Sequence, residues 1–124
     1  MDKLLEEKIV LITGGAQGLG YAMARGCSHN GATVIMADIN EEKLAGSARI
    51  LQSEGLRCEG MKMDITDEQQ IRDTIGEIVK KYGRLDGIVN NAGITSKVKF
   101  LESTPEDFDR VIDLNLRSVY LCCR

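Results

Sequence analysis

Two hydrophobic patterns alternate along the chain. Short runs rich in apolar and β-branched residues occupy residues 9–12, 33–36, 58–63 (the weakest) and 85–89. Such runs are typical of strands buried on both faces. Between them, apolar residues recur at helical spacing in the stretches Leu19 to Cys27, Leu44 to Leu51 and Ile71 to Tyr82. Strands that alternate with helices are joined by right-handed crossovers and form a parallel sheet. The pattern therefore predicts an α/β fold, a doubly wound parallel sheet of about four strands with flanking helices.

Capping residues mark the ends of the predicted helices. Asn40 precedes the second helix, and Thr66 with Gln69 fits a capping box before the third. Thr104 and Pro105 predict the start of a final helix that runs almost to the end of the chain. Glycines in the left-handed conformation commonly end helices, and the predicted stops are Gly31, Gly55 and Gly83.

Composition and charge argue against several classes of function. The 124 residues suit one domain, and 16 basic residues are spread among 19 acidic ones to give a net charge of −3, which is unlike a nucleic-acid-binding protein. No apolar run is long enough to cross a membrane, and the charged residues 1–8 do not resemble a signal peptide. The cysteines lack metal-ligand spacing and favour free thiols in a reducing compartment; they are Cys27, Cys58, Cys122 and Cys123. We therefore expect a cytoplasmic protein with no nucleic-acid partner and no membrane partner.

A glycine-rich turn follows the first predicted strand and opens the first helix. Its sequence is Thr13-Gly14-Gly15-Ala16-Gln17-Gly18-Leu19-Gly20. In this setting Gly14 permits a tight exit from the strand, Gly18 lets the backbone approach a diphosphate, and Gly20 lets the helix pack closely on the sheet. The N-terminus of the helix adds free N–H groups and a partial positive charge. The turn therefore predicts a dinucleotide phosphate site, and the other interpretation is a plain glycine-rich turn.

Asp38 ends the second predicted strand, eighteen residues after Gly20. A carboxylate at this position accepts hydrogen bonds from the adenosine ribose and repels the 2′-phosphate of NADP. Gln17 agrees with this, because the glycine-rich turn contains no lysine or arginine to attract that phosphate. We therefore expect NAD as the cofactor in preference to NADP. The other interpretation is an aspartate that only starts the loop before Asn40.

The tetrapeptide Asn90-Asn91-Ala92-Gly93 directly follows the fourth predicted strand. If that strand lies beside the first, this is where a parallel sheet reverses its strand order and binds ligands, although an ordinary turn has a similar composition. Together with the spacing of Thr13 to Gly20, the tetrapeptide resembles the short-chain dehydrogenases/reductases, and the resemblance covers essentially the whole chain. It implies that residues 1–124 form an NAD(P)-binding domain of the Rossmann type that is incomplete at its C-terminus.

The resemblance also implies which residues form the site. Asp64 and Ile65 match the family's pair that contacts the adenine, and Asn115 aligns with a catalytic asparagine that supports a water linking the active-site lysine to solvent. From the residues alone, Asp64 is another loop-starting aspartate, and Asn115 is a hydrogen-bonded amide near the surface of its helix. The predicted cofactor contacts are Gly14, Gln17, Gly18, Leu19, Gly20, Asp38, Ile39, Asp64, Ile65, Asn91, Ala92 and Gly93.

The family's catalytic serine, tyrosine and lysine are not assigned in this chain. Tyr120 and Arg124 have the spacing of the tyrosine and lysine, but the second residue is arginine and both lie in the same predicted helix as Asn115. We therefore expect the 124 residues alone to be inactive. The resemblance implies an NAD-dependent oxidoreductase that transfers hydride between nicotinamide and a small carbonyl compound or secondary alcohol, as a homodimer or homotetramer at full length. The alternative is a non-catalytic dinucleotide-binding or interaction module.

Overall fold

Strands and helices alternate as the sequence predicts. The computed structural model describes residues 3–124, so Met1 and Asp2 of the charged N-terminal stretch lie outside the described residues. The first elements are β1 (Ile9–Thr13), α1 (Gly18–His29), β2 (Thr33–Asp38), α2 (Glu41–Ser53), β3 (Cys58–Lys62), α3 (Glu68–Tyr82) and β4 (Gly87–Val89). They are followed by a 3-10 turn (Phe100–Glu102), α4 (Pro105–Ile112), a π-helical segment (Asp113–Arg117) and α5 (Ser118–Cys123). The fourth strand is shorter than predicted, because pairing with β1 begins only at Gly87.

Within residues 3–124, the four strands form one parallel sheet in the order β3-β2-β1-β4. Both Leu11 and Ile12 in the central strand β1 are fully buried. After β3 the chain returns across the sheet and places β4 on the other side of β1, so the strand order reverses between β1 and β4. Open parallel sheets bind ligands at such a switch point, beyond the carboxyl ends of the strands. The predicted doubly wound α/β fold is confirmed.

Successive residues of β1 build two separate hydrophobic cores. Ile12 packs on one face with Ala24 of α1 and Leu51 of α2. Leu11 packs on the other face with Ile78 of α3, and α5 adds to the same cluster. Full burial of a side chain such as leucine or isoleucine contributes about 1.5–3 kcal/mol. Both faces of the sheet are thus covered, and the edge formed by the carboxyl ends of the strands stays accessible.

The predicted helix ends are confirmed except at one position. Asn40 Oδ1 accepts the Lys43 N–H at 3.1 Å and so caps α2. Thr104 and Asp107 form a reciprocal capping box at the start of α4, with Pro105 at its first position. The glycines predicted to end α1, α2 and α3 all have positive φ angles; they are Gly31, Gly55 and Gly83.

The predicted capping box at Thr66 is wrong by one residue. Asp67 is the N-cap of α3, and its Oδ1 accepts the N–H groups of Gln69 and Gln70 at 3.0 and 3.2 Å. Thr66 does not cap the helix because its Oγ1–H donates to Asp64 Oδ1 at 2.6 Å. A carboxylate is also favoured beside the partial positive charge of a helix N-terminus.

Asp86 ties the beginning of β4 to the beginning of β1. Its Oδ2 accepts the Ile9 N–H at 2.7 Å and the Arg84 Nε–H at 3.0 Å. The backbone hydrogen bond from Ile9, followed by the hydrogen bond and charge of Arg84, lowers the pKa of Asp86 despite some desolvation. The contact fixes where the two strands start relative to each other, and therefore where their carboxyl ends meet.

Candidate functional site

The glycine-rich turn after β1 depends on two glycines with positive φ. Gly14 has a φ of 64° and Gly18 a φ of 60°, a region that residues with a Cβ rarely adopt. A Cβ on Gly14 would lie 3.0 Å from Ala92 Cα, so the turn packs directly on the segment after β4. A Cβ on Gly18 would meet nothing within 4 Å, so this part of the turn borders open space. The turn is therefore closed on the β4 side and open where α1 begins.

The N-terminus of α1 lies at this open end without a side-chain cap. Gln17 is the N-cap residue in an extended conformation, it makes no capping hydrogen bond, and the first turn of the helix contains no acidic side chain. The first N–H groups of a helix have no partner within the helix, and they carry a partial positive charge. The start of α1 therefore offers an anion several unpaired donors.

A hydrogen-bond network joins the end of β1 to the segment after β4. Asn91 Nδ2 donates to the backbone oxygens of Thr13 and Gly14, both at 3.1 Å. In the opposite direction, the buried Thr13 Oγ1 accepts the N–H groups of Asn91 and Ala92 at 3.1 and 3.0 Å. The network fixes the two loops at the switch point relative to each other. Sequence reasoning gave Thr13 no role of its own, and its only signal was a hydroxyl at the buried end of a strand.

Both oxygens of the Asp38 carboxylate accept backbone hydrogen bonds. Oδ2 accepts the Ala16 N–H at 3.2 Å, and Oδ1 accepts the Asn40 N–H at 3.0 Å. The bond to Asn40 is the turn contact that a loop-starting aspartate makes, whereas the bond to Ala16 ties the carboxylate to the glycine-rich turn. Each carboxylate oxygen accepts more than one hydrogen bond, so Asp38 keeps acceptor capacity toward the cavity that it lines.

Asp64 and Ile65 lie just beyond the carboxyl end of β3, at the same end of the sheet as Asp38. Asp64 Oδ1 accepts the N–H and the Oγ1–H of Thr66 at 2.9 and 2.6 Å, which is again the contact of an aspartate that starts a turn. The Asp64 N–H donates to Gln70 Oε1 at 2.9 Å. Ile65 is buried and packs in the core beneath the turn. These contacts hold the turn after β3 in place beside the cavity.

A cavity of about 320 Å³ lies at the carboxyl ends of the strands. Its volume falls within the range of small-molecule sites, about 300–1,000 Å³. The predicted cofactor contacts that line it are Gly14, Gln17, Asp38, Ile39, Asp64, Ile65, Asn91, Ala92 and Gly93. The other lining residues are Thr13, Ala37, Met63, Ile94 and Leu114. The remaining predicted contacts, Gly18, Leu19 and Gly20, lie at the start of α1 and outside the lining.

Asn115 lies in the π-helical segment that interrupts the predicted final helix. Its Oδ1 accepts the Ile94 N–H and its Nδ2 donates to Ile94 O, both at 2.8 Å. A Cβ on Gly93 would lie 3.2 Å from Asn115 Oδ1, so the backbone at Gly93 passes closely over the amide. The expectation of one regular helix is therefore corrected: the helix widens where Asn115 binds the loop after β4, and π-helical turns of this kind are common at functional sites. Asn115 does not line the cavity itself, but it lies against two residues that do, Gly93 and Ile94.

Residues 3–124 show no grouping of His, Cys, Asp and Glu side chains that could hold a metal ion. The four cysteines are free thiols, and burial raises the pKa of Cys27, Cys58 and Cys122. None of the helices in this part of the chain is long and apolar enough to cross a membrane. The polar side chains that line the cavity are the Thr13 hydroxyl, the amides of Gln17 and Asn91, and the carboxylates of Asp38 and Asp64.

Comparison with known proteins identifies a family that matches almost the whole chain. A family profile described as short chain dehydrogenase matches residues 8–124. The 3beta-hydroxysteroid dehydrogenase of Mediterraneibacter gnavus is 40% identical over 120 residues, which cover 96% of this chain and 44% of that protein. The chain therefore spans about half the length of the curated relatives it matches.

Solved structures agree with the sequence comparison. A short chain dehydrogenase from Mycobacterium smegmatis superposes with a TM-score of 0.92 at 36% identity and covers 98% of this chain and 52% of that one. A 3-ketoacyl-(acyl-carrier-protein) reductase from Brucella melitensis, complexed with NADH, superposes with a TM-score of 0.90 at 33% identity. The match covers 97% of this chain and 48% of that structure.

Proposed function

The chain belongs to the short chain dehydrogenase family, and we propose that it forms the NAD-binding part of an oxidoreductase that transfers hydride between nicotinamide and a small carbonyl compound or secondary alcohol. One observation carries the proposal. The uncapped N-terminus of α1 lies beside a cavity, and Gln17 and Asp38 both line that cavity. A dinucleotide needs this combination, since its diphosphate requires N–H donors and its ribose requires an acceptor.

The residues present suit a nicotinamide dinucleotide. The open space at Gly18 leaves room for the diphosphate against the start of α1. Asp38 would accept hydrogen bonds from the adenosine ribose, and Asp64 with Ile65 would border the adenine. Asn91 and the two residues that follow it, Ala92 and Gly93, would let the cofactor approach the backbone after β4. The NADH bound to the Brucella melitensis reductase supports the choice of cofactor class.

When bound, the dinucleotide supplies the hydride acceptor or donor, and this chain's residues bind and orient it. Asn115 would act by holding Ile94, and thus the loop after β4, in a fixed position. The serine, tyrosine and lysine of the family's catalytic centre are not assigned in these residues, so we propose that they are supplied from outside them. We further propose a cytoplasmic homodimer or homotetramer for the complete protein. No single substrate is favoured, because the similar proteins act on chemically different compounds by name.

Replacing Asp38 with alanine is expected to weaken NADH binding about tenfold and to weaken NADPH binding less or to strengthen it. The reason is that a charge-assisted hydrogen bond contributes about 1.5–3 kcal/mol, while the same carboxylate repels a 2′-phosphate. Fluorescence titration of both reduced dinucleotides measures the two affinities. Asp73→Ala, which removes an exposed carboxylate from α3, is the matched control and should leave both unchanged. Equal affinities of the Asp38 variant and the wild type for both ligands would contradict the assignment of NAD.

Hydride transfer is expected only when these residues are joined to the serine, tyrosine and lysine that we propose are supplied from outside them. The 124 residues should bind NADH without reducing NAD in the presence of alcohols or oxidising NADH in the presence of ketones. The complete protein should turn over at least one member of such a panel, as followed by nicotinamide absorbance. A complete protein that binds NADH but lacks activity throughout the panel would support a non-catalytic binding module instead.

A further inference from the structure

Lys43 occupies an electrostatically unfavourable position in α2. It lies in the first turn of the helix, after Glu41 and Glu42, where the partial positive charge of the helix favours acidic side chains and disfavours cations. Its side chain is exposed, and its Nζ donates to Gln17 Oε1 at 2.7 Å. Gln17 occupies the N-cap position of α1, at the end of the glycine-rich turn, and lines the cavity. The ammonium group therefore lies at the rim of the proposed cofactor site, although no basic residue occurs in the turn itself.

The charge of Lys43 is not neutralised by a carboxylate. Among residues 3–124, Lys43 takes part in none of the ion pairs, and its ammonium group meets only an amide oxygen. Lys62 gives a contrast, since it is the register partner of Asp38 on β3, and its Nζ lies 3.9 Å from Glu41 Oε2. Of these two lysines near the end of β2, Lys43 is the one with charge available for an anionic ligand.

Lys43 and Asp38 bind adjacent residues of the glycine-rich turn. Asp38 binds the Ala16 N–H, and Lys43 binds the side chain of Gln17, the next residue. Both Asp38 and Gln17 line the cavity. A group attached to the 2′ position of the adenosine ribose, which the proposed function places beside Asp38, would therefore come near both a carboxylate and an ammonium.

We propose that Lys43 is a specificity-determining residue for the adenosine end of the cofactor, and that it attracts the 2′-phosphate that Asp38 repels. This inference rests on the proposed function. The long side chain of Lys43 needs only to exchange the amide oxygen of Gln17 for a phosphate oxygen, and a phosphate is the stronger acceptor. The protein accordingly prefers NAD by a smaller factor than Asp38 alone would produce. Removing Asp38 also frees the N–H groups of Ala16 and Asn40 for the phosphate.

Lys43→Gln is expected to weaken NADPH binding about fivefold and to change NADH binding by less than about twofold, since exposed ion pairs contribute at most about 1 kcal/mol. Fluorescence titration of the chain with each reduced dinucleotide gives the ratio of its affinities for NADPH and NADH. Circular dichroism checks that the variant is folded. Lys43→Arg, which keeps the charge, should retain the wild-type ratio. Lys80→Gln removes the same charge at the far end of α3 and should also retain it.

The double variant Asp38→Ala/Lys43→Gln provides a second, independent measurement. If Lys43 binds the 2′-phosphate, the double variant should bind NADPH, relative to NADH, about fivefold or more weakly than Asp38→Ala alone. A double variant with the same NADPH-to-NADH affinity ratio as Asp38→Ala would overturn the inference. A Lys43→Gln variant that weakens binding of both dinucleotides equally would also overturn it, because Lys43 would then only position Gln17. If the wild type binds neither dinucleotide, the proposed function fails and this inference fails with it. NADH binding with an unchanged ratio in Lys43→Gln overturns the inference alone.

Discussion

Replacing Gly20 with alanine is expected to destabilise the chain by about 3 kcal/mol and to remove dinucleotide binding. An added Cβ at this position would lie 2.2 Å from Gly14 O, 2.9 Å from Gly14 C and 2.6 Å from Asn91 Nδ2. Two of these atoms belong to the backbone of the glycine-rich turn, so either the turn or α1 must move away from its place. Either movement displaces the N–H groups at the start of α1 and strains the bonds from Asn91 to Thr13 and Gly14.

The chain offers a matched control for this substitution in the same helix. A Cβ on Gly26 would meet nothing within 4 Å, and alanine in a helix interior is favoured over glycine by about 0.5–1 kcal/mol. Gly26→Ala should therefore be neutral or stabilising in urea denaturation and should bind NADH like the wild type. If Gly20→Ala unfolded at the same urea concentration as Gly26→Ala and still bound NADH, the close packing of α1 on the turn would not matter for the site.

The regular parts of the fold could be predicted because they depend on local signals. Buried strands, helical stripes and the cap at Asn40 are encoded by residues close to one another in sequence, and they occur where the pattern indicated. The error at Thr66 arose where two local signals compete. Asp64 takes the threonine hydroxyl, and Asp67 then caps α3. A single sequence contains both options and does not rank them.

The contacts that complete the site could not be predicted because they join distant parts of the chain. Thr13 and Asn91 are brought together only when β4 pairs beside β1. The bond between Lys43 and Gln17 likewise requires α2 to begin next to the glycine-rich turn, whereas the sequence suggested a turn without a nearby cation. The π-helical widening at Asn115 also has a distant cause, since the amide binds the backbone of Ile94. Periodicity predicts a regular helix there.

Replacing Thr13 with valine is expected to lower the free energy of unfolding by about 2 kcal/mol and to weaken NADH binding. The two side chains have nearly the same shape, but valine has no hydroxyl. Thr13 is 2% exposed, and its Oγ1 accepts the N–H groups of both Asn91 and Ala92. Valine leaves the half-buried Ala92 N–H without an acceptor, while the Asn91 N–H keeps only its bond to Val89 O at 3.0 Å. An unpaired donor costs about 1–3 kcal/mol. Because Asn91 and Ala92 line the cavity, their release should disturb the dinucleotide site as well as the fold.

Thr13→Ser distinguishes the contribution of the hydroxyl to stability from that of the methyl group. Serine keeps the acceptor and loses one buried methyl, which costs about 1 kcal/mol. Urea denaturation should therefore rank the proteins as wild type, then Thr13→Ser, then Thr13→Val, and hydrogen exchange at the Ala92 amide should accelerate only in the valine variant. The opposite ranking, with valine more stable than serine, would mean that packing at Thr13 outweighs its hydrogen bonds. The loops at the ends of β1 and β4 would then need another explanation for their fixed positions.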